Sequence, residues 1–214
     1  IQPVERIARL CRERGVPLIV DASQSAGMLS VDMENWGAAF IAMPGHKGLY
    51  GPQGTGLLLC GGQVQPLLYG GTGSLSAQQE MPDFLPDRLE AGTHNVCGAA
   101  GLLEGMKFVA RTGAGRIRHE RALAGRMMDA LERCSGVTVF RGWGDSQSGL
   151  CSVIVDGLDC EEAGEMLAKR GIAVRSGLHC APLAHRTAGT VETGTIRFSF
   201  SAFNRPDQVD QAAA

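Results

Sequence analysis

Apolar residues recur along the chain with two different periods, and the alternation between them predicts successive helices and strands. Helical spacing of apolar positions opens the sequence, at Val4, Ile7, Leu10 and Cys11. Gly15 ends this predicted helix, and the continuous apolar run Val16–Val20 then predicts a short buried strand that leads to Asp21. In an α/β sheet, ligands gather beyond the carboxyl ends of the strands. Asp21 is therefore a candidate site residue, although an aspartate in this place commonly only caps a helix or forms a turn.

The same two periods predict the remaining elements. Further strands are predicted at residues 38–43, 57–60, 137–140, 150–155, 172–175 and 195–201. Helices are predicted over residues 96–111, 116–133 and 161–170, and again after Pro206. The strand at 195–201 alternates, which places Arg197 and Ser199 on one face and Ile196 and Phe198 on the other. The break at residues 112–115 predicts a domain boundary, with residues 1–113 in one domain and 114–214 in a small α+β domain.

Composition excludes several classes of function. The 214 residues carry a net charge of −2 with both signs interspersed, so no basic patch indicates nucleic acid and no polybasic run indicates a membrane surface. No apolar run approaches the length of a membrane span, and the start has no signal-peptide layout. The seven cysteines are scattered and odd in number, which indicates reduced thiols. We therefore expect a cytoplasmic protein with no nucleic-acid or membrane partner.

The sequence begins and ends within predicted helices. There is no initiating methionine, the first residues already follow a helical pattern, and the last residues stop where another helix begins. We expect a fragment truncated on both sides.

One lysine lies in a loop of unusual composition. Residues 45–56 hold Lys47 among five glycines and one proline, so this stretch is a shaped loop and neither a helix nor a plain strand. A lysine pinned between two apolar runs would be partly desolvated, which favours the neutral amine that attacks carbonyl carbon. The alternative is a glycine hairpin with a solvated lysine. A phosphate-binding loop is excluded because His46, and not glycine, precedes the lysine.

A cysteine lies in a second Gly/Pro loop, at residues 175–182. Cys180 is preceded by His179 and lies five residues after Arg175, a setting that favours a reactive thiolate. A zinc site would need more ligands than His179, Cys180 and His185, and an adjacent histidine does not easily reach its neighbour's sulfur as a protease base would. Small polar residues at 184–190 predict a mobile loop after the cysteine. We therefore predict no metal site from the sequence.

Four motifs in this order resemble one family. Asp21-x-x-Gln24, Gly45-His46-Lys47, Glu90-Ala91-Gly92-Thr93-x-Asn95 and Arg175-x-Gly177-x-His179-Cys180 are similar to those of pyridoxal-phosphate (PLP) cysteine desulfurases, of the class V aminotransferase, fold type I group. The resemblance covers nearly the whole chain and corresponds to the carboxyl-terminal half of such an enzyme. It implies an α/β remnant of the large cofactor-binding domain, with a mixed, mostly parallel sheet, followed by the small domain.

The resemblance also implies roles for individual residues. Lys47 would form the Schiff base with PLP and move the substrate α-proton, Asp21 would keep the ring nitrogen protonated, and Gln24 would bond the phenolic oxygen. His46 would contact the phosphate. Gly92 and Thr93 would reach the phosphate of the neighbouring subunit's cofactor, which implies a homodimer.

Substrate handling falls to the second half of the chain. Arg197 would clamp the carboxylate of L-cysteine as a bidentate fork, with Arg175 beside it. Cys180 would accept the sulfur as a persulfide, releasing L-alanine, and a sulfur-acceptor protein would then take it.

Two departures from the family pattern bear on these expectations. Pro44 stands where relatives usually carry a serine or threonine that touches the phosphate. The family's amino-terminal half, with its phosphate cup and ring-stacking side chain, is not found in this sequence. We therefore expect the chain alone to bind little or no PLP and to be inactive. The alternatives are selenocysteine lyase, another enzyme of the class V fold, and a noncatalytic scaffold.

Overall fold

The computed structural model describes residues 1–214, apart from the side chain of Asp145. The chain divides into two compact units, one of residues Pro3–Thr112 and one of Gly113–Ala214 together with Ile1–Gln2. Among the described residues, no helix is both long enough and apolar enough to cross a lipid bilayer.

The first unit is a small α/β layer. Its elements are α1 (Val4–Glu13), β1 (Leu18–Asp21), α2 (Met33–Trp36), β2 (Ala38–Pro44), β3 (Gly56–Cys60), a 3₁₀ turn (Asp87–Leu89) and the first part of α3 (Val96–Leu131). The sheet has the order β1-β2-β3 and is mixed, because β1 pairs with β2 in parallel and β2 pairs with β3 antiparallel. As predicted, Asn95 caps α3: its Oδ1 accepts a hydrogen bond from the Gly98 N–H at 2.9 Å.

One face of this sheet is packed and the other is open. Val20 and Ile41, which pair across β1 and β2, are buried in a core that also holds Ala8, Trp36, Leu49 and Leu102. Residues of the opposite face are exposed, with Ile19 at 68% and Leu58 at 49%. Asp21 follows Ile19 by two positions and so lies on the open face.

The second unit is a four-stranded antiparallel sheet with helices packed on it. Its elements are the second part of α3, β4 (Val137–Phe140), a 3₁₀ turn (Gly144–Ser146), β5 (Leu150–Val155), α4 (Cys160–Lys169), β6 (Arg175–Gly177), α5 (Pro182–Ala188), β7 (Thr195–Ser199) and α6 (Pro206–Ala213). The strand order is β4-β5-β7-β6, with every neighbouring pair antiparallel. Apolar side chains of β5, β7 and α3 form the core, which includes Met127, Met128, Val153, Ile196 and Phe198.

Most predicted elements are confirmed, including the break between two helices at residues 112–115: α3 is interrupted at Gly113, whose φ of 46° and ψ of −143° are not helical. Two expectations are wrong, the strand at residues 172–175 and the loop at residues 184–190. Ile7 and Leu10 of α1 are exposed, because the helix packs through Ala8. The strand predicted at 172–175 forms instead at Arg175–Gly177, where β7 offers hydrogen-bond partners. The loop expected at 184–190 is mostly helix α5, which carries a buried histidine.

Candidate functional site

Asp21 and Lys47 lie at the same end of two neighbouring strands. Asp21 is the last residue of β1 and pairs with Ala42 of β2, and the loop that follows β2 carries His46 and Lys47. Hydrogen bonds from Ser23 lower the pKa of the Asp21 carboxylate, and the positive charge of Lys47 is near enough to add a small contribution in the same direction. The structure therefore brings together the acid and the amine that the sequence analysis singled out.

The Asp21 carboxylate is held in its ionised form chiefly by its own turn. Hydrogen bonds from the side chain and the backbone of Ser23 make the largest contributions to its lowered pKa, and the charge of Lys47 adds a smaller one. The backbone N–H of Ser23 donates to Oδ1 at 2.8 Å. Asp21 thus does form a local turn, as the alternative reading proposed, and the turn itself keeps the carboxylate negative.

Contacts between glycines fix the position of the lysine loop. A Cβ on Gly27 would overlap the carbonyl oxygen of Gly48, and one on Gly48 would overlap the carbonyl oxygen of Ala26. The turn that follows Asp21 and the loop that holds Lys47 are therefore in direct backbone contact. The loop is closed at its base, where Gly45 donates to the carbonyl oxygen of Thr55 at 2.8 Å.

The polar side chains of this loop and of the turn after Asp21 point into solvent, whereas Leu49 of the loop is buried. Lys47, His46 and Gln24 are all exposed in this chain. The expected partial desolvation of Lys47 is wrong, because the loop packs through its glycine backbone and leaves the long side chain outside. The other reading of the sequence, a solvated lysine in a glycine loop, describes the exposure of Lys47 in this chain.

Gly92 and Thr93 belong to a different loop pair. The N–H of Gly92 donates to the carbonyl oxygen of Gly70 at 2.9 Å, and Gly71 packs directly on Gly92. The structure places Gly92 against Gly70 and Gly71. Within the described chain, it provides no hydrogen bond from Gly92 or Thr93 to Asp21 or Lys47. A strongly exposed apolar run precedes this loop pair: Leu67 (92%), Leu68 (71%) and Tyr69 (57%).

Cys180 and the two candidate arginines lie together in the second unit. Arg175 of β6 pairs directly with Arg197 of β7, so both side chains leave the same face of the sheet. Nη2 of Arg175 lies 3.7 Å from the exposed Sγ of Cys180. Arg197 Nε donates to Oγ of Ser199 at 3.0 Å, which confirms the predicted face of β7.

This face of the sheet has the electrostatics of an anion site. Burial lowers the pKa of Arg197, and the neighbouring charge of Arg175 lowers it further. Within the described chain, neither guanidinium forms an ion pair with a carboxylate. Two positive groups side by side, with no internal counter-ion, favour a bound carboxylate or a thiolate.

The sequence places His179 beside Cys180, as a residue expected to help hold its loop, but gives no sign of the two threonines that lie behind this face. His179 Nε2 is 2.9 Å from Oγ1 of Thr195, and His185 Nδ1 is 2.7 Å from Oγ1 of Thr190. Threonines in loops and strands give no distinctive signal of a histidine partner. The sequence indicates His185 only as a candidate zinc ligand. Burial lowers the pKa of His179, and the charge of Arg197 adds to the effect.

The fold and these two clusters can be compared with known proteins. A family model described as aminotransferase class-V matches residues 1–212. The chain belongs to the class-V aminotransferase family. Class-V aminotransferases depend on PLP.

The relatives of this class-V chain include named cysteine desulfurases. A probable cysteine desulfurase of Methanothermobacter thermautotrophicus is 34% identical over 98% of this chain and 54% of its own length. One from Pyrococcus abyssi gives the same three values. The chain spans about half the length of the curated relatives it matches.

Solved structures of similar proteins show the same architecture. The apo cysteine desulfurase from Thermococcus onnurineus NA1 superposes with a TM-score of 0.88 at 33% identity, over 99% of this chain and 54% of that one. The cysteine desulfurase CsdA from Escherichia coli, in its S-sulfonic acid form, superposes with a TM-score of 0.85 at 29% identity. The match covers 99% of this chain and 53% of that one. This class-V chain therefore has the α/β architecture of those enzymes over about half of their length.

The residues at the strand ends suit the family's cofactor. An ionised carboxylate at Asp21 matches the requirement for an acid beside a protonated pyridine nitrogen, and Lys47 supplies an accessible primary amine at the same rim. Gln24 adds an exposed amide in the turn after Asp21. These residues thus fit the ring nitrogen, the aldehyde and the phenolic oxygen of PLP, although Pro44 offers no hydroxyl to a phosphate and the ring-stacking side chain is not found in this sequence.

Proposed function

We propose that the protein of which this chain forms part is a PLP-dependent cysteine desulfurase. The observation that carries the proposal is the exposed Cys180 thiol, 3.7 Å from Arg175 Nη2, next to a second guanidinium on Arg197 that has no internal counter-ion. A class-V enzyme that only moves an amino group has no use for this thiol. A sulfur acceptor reacts as a thiolate, and the guanidinium of Arg175 lies within reach of the Cys180 sulfur.

Each residue has a defined task in this reaction. Arg197 binds the carboxylate of L-cysteine, and its partner strand holds Arg175 beside it. Asp21, Gln24 and Lys47 would hold PLP, which when bound supplies the electron sink for the substrate carbanion. The amine of Lys47 moves the α-proton. His46 would contribute a phosphate contact from its exposed position.

The sulfur step is balanced without an outside oxidant. The thiolate of Cys180 attacks the sulfur of the substrate, so an S–S bond forms and the substrate Cβ–S bond breaks. The electron pair of the broken bond stays on Cβ, which takes up a proton. The products are L-alanine and a persulfide on Cys180, and a thiol of an acceptor protein then removes the terminal sulfur.

We also propose that the enzyme acts as a homodimer. Gly92 lies against Gly70 and Gly71, and the preceding run at residues 67–69 is among the most exposed apolar stretches of the described chain. Such a run suits burial against a second copy. Gly92 and Thr93 would then serve the neighbouring subunit's cofactor. The free cysteines support a reducing compartment, and we place the enzyme in the cytoplasm.

The test uses the full-length protein reconstituted with PLP. With L-cysteine and an acceptor thiol, we expect equal amounts of L-alanine and transferred sulfur, and a mass increase of one sulfur on the peptide that contains Cys180. Cys180→Ser should abolish the persulfide, whereas Cys134→Ser, at an exposed thiol of the same unit, should leave it unchanged. Borohydride should attach PLP to Lys47 and fail to do so in Lys47→Ala.

Other outcomes would identify the alternatives. Release of selenide from selenocysteine, with no reaction of cysteine, would indicate a selenocysteine lyase. Undiminished alanine formation by Cys180→Ser would show that the thiol has no part in the reaction. A full-length protein that remains colourless after addition of PLP would indicate a noncatalytic scaffold.

A further inference from the structure

The turn that carries Cys180 has an unfavourable backbone conformation. The N–H of Ala181 donates to the carbonyl oxygen of Leu178 at 2.8 Å, which closes a four-residue turn around His179 and Cys180. Both central residues are left-handed, with φ of 52° at His179 and 60° at Cys180. Turns of this kind are normally built from Asn, Asp and Gly. A strained turn persists only when surrounding contacts fix it.

Two histidine–threonine pairs provide such contacts on the two sides of Cys180. On the amino-terminal side, His179 bonds Thr195, a buried residue of β7. On the carboxyl-terminal side, the buried His185 of α5 bonds the buried Thr190. The two imidazole rings pack against each other with their centroids 5.6 Å apart. The segment before the thiol and the segment after it are therefore joined through one small polar cluster.

His179 depends on a single polar partner. Its Nε2 bonds Thr195, while its Nδ1 is buried and has no hydrogen-bond partner among the described residues. Removal of the Thr195 hydroxyl would take away the 2.9 Å contact at Nε2 and leave the ring only a backbone interaction with Thr195, so the ring would be held less firmly. Thr195 is also opposite Gly177 in the β6–β7 pairing, two residues along each strand from the Arg175–Arg197 pair. Thr195 and the Arg175–Arg197 pair thus belong to the same two hydrogen-bonded strands.

We propose that His179 is a positioning residue for Cys180. Its bond to Thr195 holds the left-handed turn in the conformation that directs the Cys180 sulfur towards Arg175 Nη2. His185 and Thr190 support this arrangement by fixing the ring against which His179 packs. The importance of the thiol rests on the proposed function, but the geometric inference can be tested without turnover.

The experiment measures how fast iodoacetamide alkylates Cys180 in the full-length protein at pH 7.5. Peptide mass spectrometry follows Cys180, with the exposed Cys134 of the same molecule as an internal reference. Thr195→Val keeps the β-branched shape and removes the hydroxyl. We expect it to slow alkylation of Cys180 about fivefold, the equivalent of the ~1 kcal/mol that one neutral hydrogen bond contributes. Thr195→Ser, which restores a hydroxyl, should recover the wild-type rate.

A double-mutant cycle distinguishes positioning from a general loss of structure. Arg175→Gln alone should slow alkylation, and adding Thr195→Val to it should produce no further change, because both act through the same contact. If the two effects add, or if Thr195→Val reacts at the wild-type rate, the proposal is wrong. Should Thr195→Val fail to fold by circular dichroism, His179→Ala takes its place with the same expected rates. Since alkylation needs no catalysis, failure of the desulfurase proposal would not alter this result.

Discussion

The loop around Lys47 is held by backbone contacts between glycines, whereas the turn around Cys180 is held by the side chains of two histidines and two threonines. At Lys47, the carbonyl oxygens of Gly48 and Ala26 lie where a Cβ on Gly27 or Gly48 would be. At Cys180, two non-glycine residues accept left-handed backbone angles within a polar cluster. The two reactive groups are therefore positioned by different kinds of interaction, which respond differently to substitution and to pH.

The difference also decides what each region exposes. The glycine loop and the turn after Asp21 present Lys47, His46 and Gln24 to solvent, while the loop packs through its glycine backbone and through Leu49. The cysteine turn exposes its thiol but buries His185 and both threonines behind it. Chemical groups at the first site thus depend on close approach of main chains, while those at the second depend on hydrogen bonds that a single side-chain change can remove.

The largest effect should come from adding one methyl group to the glycine contact. Gly48→Ala would place a Cβ against the Ala26 carbonyl oxygen, and we expect a loss of about 3 kcal/mol in the free energy of unfolding. The control is Gly62→Ala, where a Cβ meets nothing within 4 Å. Urea unfolding of the full-length protein measures both. Equal stability of the two variants would mean that the backbone contact does not hold the loop.

A smaller effect should follow removal of one hydroxyl behind the cysteine turn. Thr190→Val leaves Nδ1 of the buried His185 without its 2.7 Å partner, and we expect destabilisation of about 1–2 kcal/mol. Thr187→Val is the matched control, because that exposed hydroxyl bonds only the carbonyl oxygen of Leu183 within α5. Thermal unfolding compares them. A control as unstable as Thr190→Val would indicate that the hydroxyl of Thr190 has no special role.

The smallest effect should appear in the pH dependence of stability. His179 has a lowered pKa because of burial and the facing charges of Arg197, His185 and Arg175, so the unfolded chain binds its proton more readily than the folded one. The contribution of this residue is complete above the unfolded pKa of about 6.5 and is lost as the pH falls through that value towards the lower folded pKa.

This pH effect can be assigned by substitution. Urea midpoints measured between pH 7.5 and 5.5 should fall less steeply in His179→Gln than in the wild type, because only the wild type loses this contribution. The Asp21 carboxylate, whose pKa is lowered, contributes in a separate window: its stabilising effect is lost only as the pH falls below about 3.8. A wild-type slope in His179→Gln would show that this imidazole binds its proton equally in the folded and unfolded states.

The sequence was sufficient for the elements and for the polar end of the first sheet. Strands at 137–140 and 150–155 form with the predicted bounds, because alternating β-branched residues between turns leave few other choices. Asp21 and Lys47 lie at the same edge of the sheet because the parallel strands β1 and β2 end there. The hydrophobic pattern was enough to predict these strands. The rule that parallel strands end at one edge of a sheet was enough to place Asp21 near Lys47.

Burial and long-range hydrogen bonds could not be predicted in the same way. The exposure of Lys47 depends on which atoms of the loop meet Gly27, a residue 20 positions earlier that gives no sign of its contact. The helix α5 was missed because residues 182–188 are small and polar, and its stability owes much to His185 reaching Thr190. Such interactions join residues whose types are common in any loop.

The contact between Gly27 and Gly48 sets a limit on how this fold can vary. A survey of random variants would record these two positions as intolerant, although neither has a side chain that could take part in chemistry. The requirement is for empty space, so no larger residue can satisfy it and no second change on a side chain can compensate for the main-chain oxygens nearby. In this part of the molecule, selection for function would act most strictly on the residues that contribute the fewest atoms.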